Sequence, residues 1–285
     1  MHTNNFLVSV IIPAYNHEKY ILKALDSVLN DEYPNKELVI IDDGSTDETN
    51  SLITHWIKNN TDKLSILSIK YKTRSNKGVS KTLNELIRMS DGEYICIVAS
   101  DDYLLNGGIA KRVEYLQQNT TKMAVFGDCI VVNQENITTY ASGLKNYYTV
   151  KIENYQDDTS LKNEIIMRWS VPGPVFMARR IMYTKHNIFY SENLIGEDWD
   201  MYLRLVSKNY LGFIDFKVAA YRIHDSNTCI SFENEILIDR IKTIISNLKL
   251  FALEDKVKLI YMLAKLILVS NMKFSVGIYN KYRKK

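Results

Sequence analysis

The chain has 285 residues, 46% hydrophobic and 24% charged, with a formal net charge of +3. That length buries a full core without disulfide or metal staples, and the small net charge with no basic, aromatic-interleaved patch excludes a nucleic-acid binder. Three cysteines, Cys96, Cys129 and Cys229, have no paired spacing, which argues against a zinc or dithiol centre and for a reducing, cytoplasmic compartment.

The start of the chain reaches Pro13 and polar residues too soon for an export segment. Leu7 to Ile12 is a continuous apolar run of the kind found in a buried parallel strand. The polar stretch AYNHEKY leads into a helix near Tyr20–Leu29, with Ile21, Leu25 and Val28 or Leu29 on one face. Glu37–Ile41 reads as a second strand ending in DDGSTDE, where Ser45 or Thr46 is placed to cap the next helix. Leu64–Ile69 reads as a third strand, Gly78–Met89 as a helix, Tyr94–Val98 as a fourth strand, Ile109–Gln118 as a helix and Met123–Phe126 as a further strand. This alternation predicts an α/β fold with a mostly parallel central sheet flanked by helices.

After residue 127 the rhythm changes. Residues 133–160 are polar, Tyr-rich and irregular, an apolar segment follows at Pro172–Ala178, and residues 234–270 are helical in pattern. Val257–Ser270 is the most apolar stretch there. It contains Lys258 and Lys265, so it reads as a core or interfacial helix rather than a span, and the run Lys281–Lys285 beyond it is basic. The expected organisation is a domain over 1–225, in two parts at 1–127 and 128–225 that the resemblance given below makes the nucleotide-sugar-binding and acceptor-binding halves, then a helical C-terminal extension over 226–285.

In an open α/β sheet, ligands bind beyond the carboxyl ends of the strands. Three such ends carry polar clusters: Pro13-Ala14-Tyr15-Asn16, Asp42-Asp43-Gly44-Ser45 and Ser100-Asp101-Asp102. Turn formation and helix capping account equally well for Asp42 and Asp43 taken alone. Adjacent Asp101 and Asp102 suit a hard divalent ion, Mn²⁺ or Mg²⁺, with phosphate oxygens completing its shell. Arg74 and Lys77 are candidates for base or phosphate contacts. Arg222 and His224 alternate in an extended segment, where Arg222 can meet a diphosphate and His224 can join the metal shell. In GEDWDMYLRL, Asp198 is either a helix N-cap or a general base for a hydroxyl nucleophile, and Arg204 is expected to form an ion pair within that helix. The sequence has no GxxxxGK[ST], no GxGxxG after the first strand and no GxSxG, which argues against phosphate-loop, dinucleotide-binding and α/β-hydrolase readings.

The stretches VSVIIPAYNHEKYILKALDSVL, ELVIIDDGSTDET, NKGVSKTLN, GEYICIVASDDYL, GPVFMARR and GEDWDMYLRL follow one another in an order that resembles the family 2 glycosyltransferases of GT-A fold, over about residues 7–225. The resemblance implies an inverting transferase with a nucleotide-sugar donor, a UDP-sugar first among them. It puts Pro13, Ala14, Tyr15 and Asp42 or Asp43 around the base and ribose, next to Asn16 of the same strand-end cluster, Asp101 and Asp102 at the metal and diphosphate, and Asp198 as catalytic base. Glu197, Pro172, Gly173 and Trp199 are assigned to the acceptor side. The chain reads Ala99-Ser100-Asp101-Asp102 where many members carry Asp-x-Asp-Asp, so the leading carboxylate is absent. Expected partners are a glycan or lipid-linked saccharide acceptor, an anionic membrane surface on the inner face of the cytoplasmic membrane, and a second copy in a homodimer. The alternatives are a non-catalytic nucleotide-sugar-binding protein and a sugar nucleotidyltransferase.

Overall fold

The computed structural model describes residues 6–60, 67–225, 227 and 231–283, with side chains as far as residue 270. The chain opens with β1 (Val8–Ala14), α1 (Ile21–Asn30), β2 (Lys36–Asp42), α2 (Thr49–Asn59), β3 (Ser68–Thr73), α3 (Val79–Met89) and β4 (Tyr94–Ile97). The four strands are parallel: β2 and β4 flank β1, and β3 lies outside β2. Ala14 stands opposite Asp42, so the polar clusters that follow β1 and β2 begin side by side. The third strand starts at Ser68, later than its apolar run suggested, and residues 64–66 of that reading lie outside the described residues.

The second half supplies β5 (Tyr103–Leu104), α4 (Gly108–Gln118), β6 (Ala124–Val132), β7 (Thr138–Tyr140), α5 (Asp158–Arg168), β8 (Phe176–Arg179), α6 (Arg180–Thr184), α7 (Glu197–Val206) and β9 (Leu211–Arg222). The sheet order is β3-β2-β1-β4-β8-β6-β9-β5, with β7 paired to β6. The sheet is mixed, because β8 runs antiparallel between β4 and β6. That reversal leaves β4 and β6 pointing the same way, and β9 is parallel to β6. The carboxyl ends of β1, β2, β4, β6 and β9 therefore share one edge of the sheet.

Successive residues of a strand face opposite sides. Val10, Ile12, Leu38 and Ile40 pack with Ile21 and Leu25 of α1, Ile53 of α2 and Val113 of α4. Ile11, Val39, Ile41 and Ile95 pack on the other side with Leu83 and Leu86 of α3, Ile165 of α5 and Leu203 of α7. Both faces are covered, which is why these strands are continuous apolar runs rather than alternating ones.

The chain ends in α8 (Glu233–Asn247) and α9 (Leu253–Arg283), joined by a short 3₁₀ turn at Leu248–Leu250. Leu259 of α9 is fully buried against the core, and Asp255 is held by Lys162 of α5 at 2.6 Å. Among the described residues, no helix is long and apolar enough to cross a membrane.

Candidate active site

The first loops at the shared edge hold each other. The Asn16 N–H donates to Ser45 Oγ (2.9 Å), and the Thr46 N–H donates to Asn16 Oδ1 (2.8 Å), which ties the end of β1 to the end of β2. Ser45 and Thr46 do not cap α2. That helix begins at Thr49, whose N–H donates to Asp47 Oδ1 (3.0 Å). Gly44 has φ +78°, and a Cβ there would lie 2.7 Å from the Asn76 backbone nitrogen, so a side chain would strain the turn and displace the neighbouring loop.

Asp42 and Asp43 divide their work. Asp42 is buried and accepts from Ser45, Asn50 (3.0 Å) and Thr73 (3.1 Å), so it is a post that holds the loop rather than a ligand contact. Asp43 accepts the backbone N–H groups of Lys77 (3.0 Å) and Gly78 (2.9 Å) and pairs with Arg74. Arg74 also reaches Thr82 and Glu85, which commits it within the loop, whereas the Lys77 side chain is exposed. Ala14 is buried in the core with its carbonyl accepting the Asp43 N–H (2.8 Å), and so presents no group to a nucleoside. Pro13 is half-buried beside Ile41, and Tyr15 is exposed.

At the centre of the edge, His17, Asp101 and His224 converge, with one ligand atom from each lying within 4.8 Å of the others. They come from the loops after β1, β4 and β9. Asp101 Oδ2 is 2.9 Å from His224 Nε2 and 3.9 Å from His17 Nε2. Ser100 Oγ holds His17 Nδ1 at 2.7 Å, which turns Nε2 toward Asp101, the arrangement by which a second hydrogen bond orients a histidine ligand. Burial opposes the Asp101 charge, but the hydrogen bond from His224 and the fields of both histidines outweigh it and hold its pKa below the usual value. Burial lowers the pKa of His17, partly offset by Asp101, which favours the neutral imidazole that a metal requires. Two imidazoles and one carboxylate fit a divalent transition ion.

This geometry corrects two expectations. Asp102 does not sit with the histidines: it is buried, and its Oδ1 accepts the Arg222 backbone N–H at 2.7 Å. Burial and the adjacent Asp101 charge raise its pKa well above the ordinary range. Arg222 is not aimed at a diphosphate. Its guanidinium, almost fully buried, donates to the carbonyls of Asp101 (2.7 Å) and Asn133 (2.9 Å) and to Asn136 Oδ1 (2.8 Å), and lies over the Tyr20 ring. It is a brace beneath Asp101. Replacing it with methionine is expected to cost roughly 1–3 kcal/mol for each carbonyl left unpaired, read by urea denaturation. Unchanged stability with lost donor affinity would restore the direct-contact role.

The last part of the site is the start of α7. Glu197 is the first residue of the helix and Asp198 the second, so Asp198 is not the N-cap; Gly196 occupies that position. Three acids in the first turn, Glu197, Asp198 and Asp200, suit the positive end of the helix dipole. β9 follows α7 and starts opposite Ala124, the first residue of β6. The helix thus runs away from the shared edge and presents its N-terminus there. The preceding segment is latched to α3 by Ser80 Oγ on the Leu194 carbonyl (2.6 Å) and by Asn84 on the Tyr190 carbonyl (2.9 Å). Burial pushes the Asp198 pKa up to about 6, and burial together with the Asp198 charge raises Glu197 well above its usual value.

Trp199 is a core residue, with Nε1 donating to the Ile165 carbonyl (2.7 Å), so it fixes α7 on α5 instead of meeting an acceptor. Pro172 is buried close to Gly143, while Gly173 beside it is exposed. Arg204 pairs with Asp200 at 2.8 Å, the internal ion pair expected of it. His17 is the residue that the sequence reading passed over. Its one signal was a histidine three residues past a buried strand.

The model of the family described as Glycosyl transferase family 2 matches residues 9–176, more than half of the chain. The chain belongs to glycosyl transferase family 2. It is 27% identical over 222 residues to an uncharacterized glycosyltransferase of Rickettsia bellii, covering 78% of this chain and 29% of that protein. It is 28% identical over 226 residues to a chondroitin synthase of Escherichia coli, covering 79% and 30%. The chain thus spans well under two thirds of the length of these relatives. In fold it is similar to S. aureus TarS 1-349 in complex with UDP-GlcNAc, with a TM-score of 0.66 at 19% identity, covering 91% of this chain and 71% of that one. It is similar as well to the mannosyltransferase PcManGT from Pyrobaculum calidifontis in complex with GDP-Man and Mn²⁺, with a TM-score of 0.60 at 16% identity, covering 97% and 82%.

Proposed function

We propose that the chain is an inverting glycosyltransferase that moves a sugar from a nucleotide-sugar donor, a UDP-sugar first among them, to a hydroxyl of a glycan or lipid-linked saccharide. The observation that carries this reading is the convergence of His17, Asp101 and His224 on the sheet edge that also receives the N-terminus of α7. Family membership and the nucleotide-sugars bound by the two similar structures support it.

In this reading the loops after β1 and β2 hold the nucleoside, with Tyr15, Asn16 and Lys77 at its rim and Asp43 holding the Lys77 backbone beneath them. His17, Asp101 and His224 hold the divalent ion, and the two imidazoles favour Mn²⁺ over Mg²⁺. A bound ion there supplies charge neutralisation to the departing diphosphate. Asp198 takes the proton of the acceptor hydroxyl. The acceptor oxygen bonds to the anomeric carbon as the bond to the diphosphate breaks on the opposite face, so a single displacement inverts that carbon. Burial and the neighbouring Asp198 charge raise the Glu197 pKa, which favours Asp198 as the ionised carboxylate that takes the proton. The reading includes a cytoplasmic location.

Calorimetric titration with UDP-, GDP- and dTDP-sugars, with and without Mn²⁺, tests the proposal. One donor is expected to bind with an affinity that depends on Mn²⁺. Folded protein that binds none of them would overturn it. Metal-dependent binding without donor hydrolysis or transfer to any acceptor tried would favour a non-catalytic nucleotide-sugar-binding protein.

A further inference from the structure

A helix that packs on a core presents one apolar stripe and a polar outer face. α9 departs from this. Its inner side meets the protein through Leu259, which is buried, and through the partly buried Met262, Leu263 and Leu266. Its outer side is apolar as well: Leu253, Val257, Ile260, Tyr261, Ile267 and Leu268 are between 43% and 79% exposed. At 3.6 residues per turn these six side chains fall within an arc of about 120°. Lys256 stands on one border of the arc and Lys265 on the other. This pattern belongs to a helix that covers two surfaces, one of which is outside the chain.

Charge identifies the outer surface. Residues 256–285 contain eight Lys and Arg and no Asp or Glu, whereas the whole chain carries only +3. The acids at the start of the helix are already engaged, Asp255 with Lys162 and Lys258, and Glu254 with Lys258. A second copy docked on this face would set two basic strips together with no acid to pair them. An anionic lipid surface provides both an apolar layer for the stripe and negative headgroups for the lysines at its borders.

We propose that α9 lies in the interface of an anionic bilayer, with its outer apolar stripe at the acyl boundary and its lysines at the headgroups, so that the protein is peripheral and does not span the membrane. This rests on the helix alone and stands apart from the transferase reading.

The test is flotation of the full chain with phosphatidylcholine vesicles and with phosphatidylcholine–phosphatidylglycerol vesicles. Binding to the anionic vesicles is expected, with little to the neutral ones, and it should weaken as salt is raised. The double variant Ile260→Asp/Leu268→Asp and the charge-reversal variant Lys256→Glu/Lys265→Glu are each expected to lower partitioning by about tenfold or more. The four side chains lie outside the core, so thermal melts should match the parent, and the charge-reversal pair reads the idea even if the apolar pair folds poorly. Absence of binding to anionic vesicles, equal binding to both kinds, or full binding by the variants would overturn the proposal. So would sedimentation velocity showing a dimer that the Ile260→Asp/Leu268→Asp change dissolves, because a second copy would then cover the stripe.

Discussion

Asp198→Asn is expected to lower kcat by ~10²–10⁴-fold, the usual contribution of a positioned general base, while donor affinity stays close to that of the parent. The carboxylate is half-buried at the start of α7, and within the described residues no side chain or N–H donates to it. Asparagine keeps the shape and removes the basic lone pairs. The pH profile gives a second readout. Burial raises the Asp198 pKa to about 6, and the base works only when deprotonated. The rate should therefore be flat above that value and fall about tenfold per pH unit below it. The variant should lose this acid limb. Steady-state kinetics with calorimetric donor titration check both points. Normal turnover by Asp198→Asn, or an acid limb that survives in its residual activity, would remove the residue from the base role.

The second large effect separates two neighbours in sequence. Asp101→Asn is expected to weaken Mn²⁺ binding by at least ~100-fold, since loss of an outer partner of a metal ligand alone costs 10–100-fold. Asp102→Asn should leave Mn²⁺ affinity within about tenfold of the parent, because its Oδ1 faces the Arg222 N–H rather than the histidines. His17→Ala should fall between the two. Mn²⁺ titration followed by electron paramagnetic resonance reads affinity without any need for turnover. Equal losses at Asp101 and Asp102 would return the ion to the pair of carboxylates, and an unchanged His17→Ala would take that residue out of the cluster.

The contrast between Asp101 and Asp102 marks where sequence stops informing. Buried parallel strands announce themselves as apolar runs, so β1, β2 and β4 were legible, together with the polar ends that follow them. The helix carrying Asp198 was legible from Trp199, Leu203 and Val206, all buried as their spacing implied. Direction was not legible. Two adjacent aspartates share composition and propensity, and only the arrival of β9, pairing its last residue with Asp102, decides which carboxylate turns to the histidines. The same contact converts Arg222 from a plausible phosphate ligand into a brace. His17 needed the ends of β1, β4 and β9 to be placed side by side, and β9 begins far down the chain. The reversal at β8 has no signature in the sequence because an apolar segment carries no sign of its polarity, and the Tyr-rich stretch after β6 hides β7 and several short turns behind an irregular pattern.

The three side chains of the cluster are contributed by the middle of the sheet and by a strand near its far margin, and they are spread over more than two hundred residues of sequence. A growing polypeptide that has left the ribosome only as far as β5 possesses two of them and no place for the third. The cluster comes into being with the last long strand. An ion held there would stabilise the finished sheet over every partly assembled form, so its binding would report completion of the sheet.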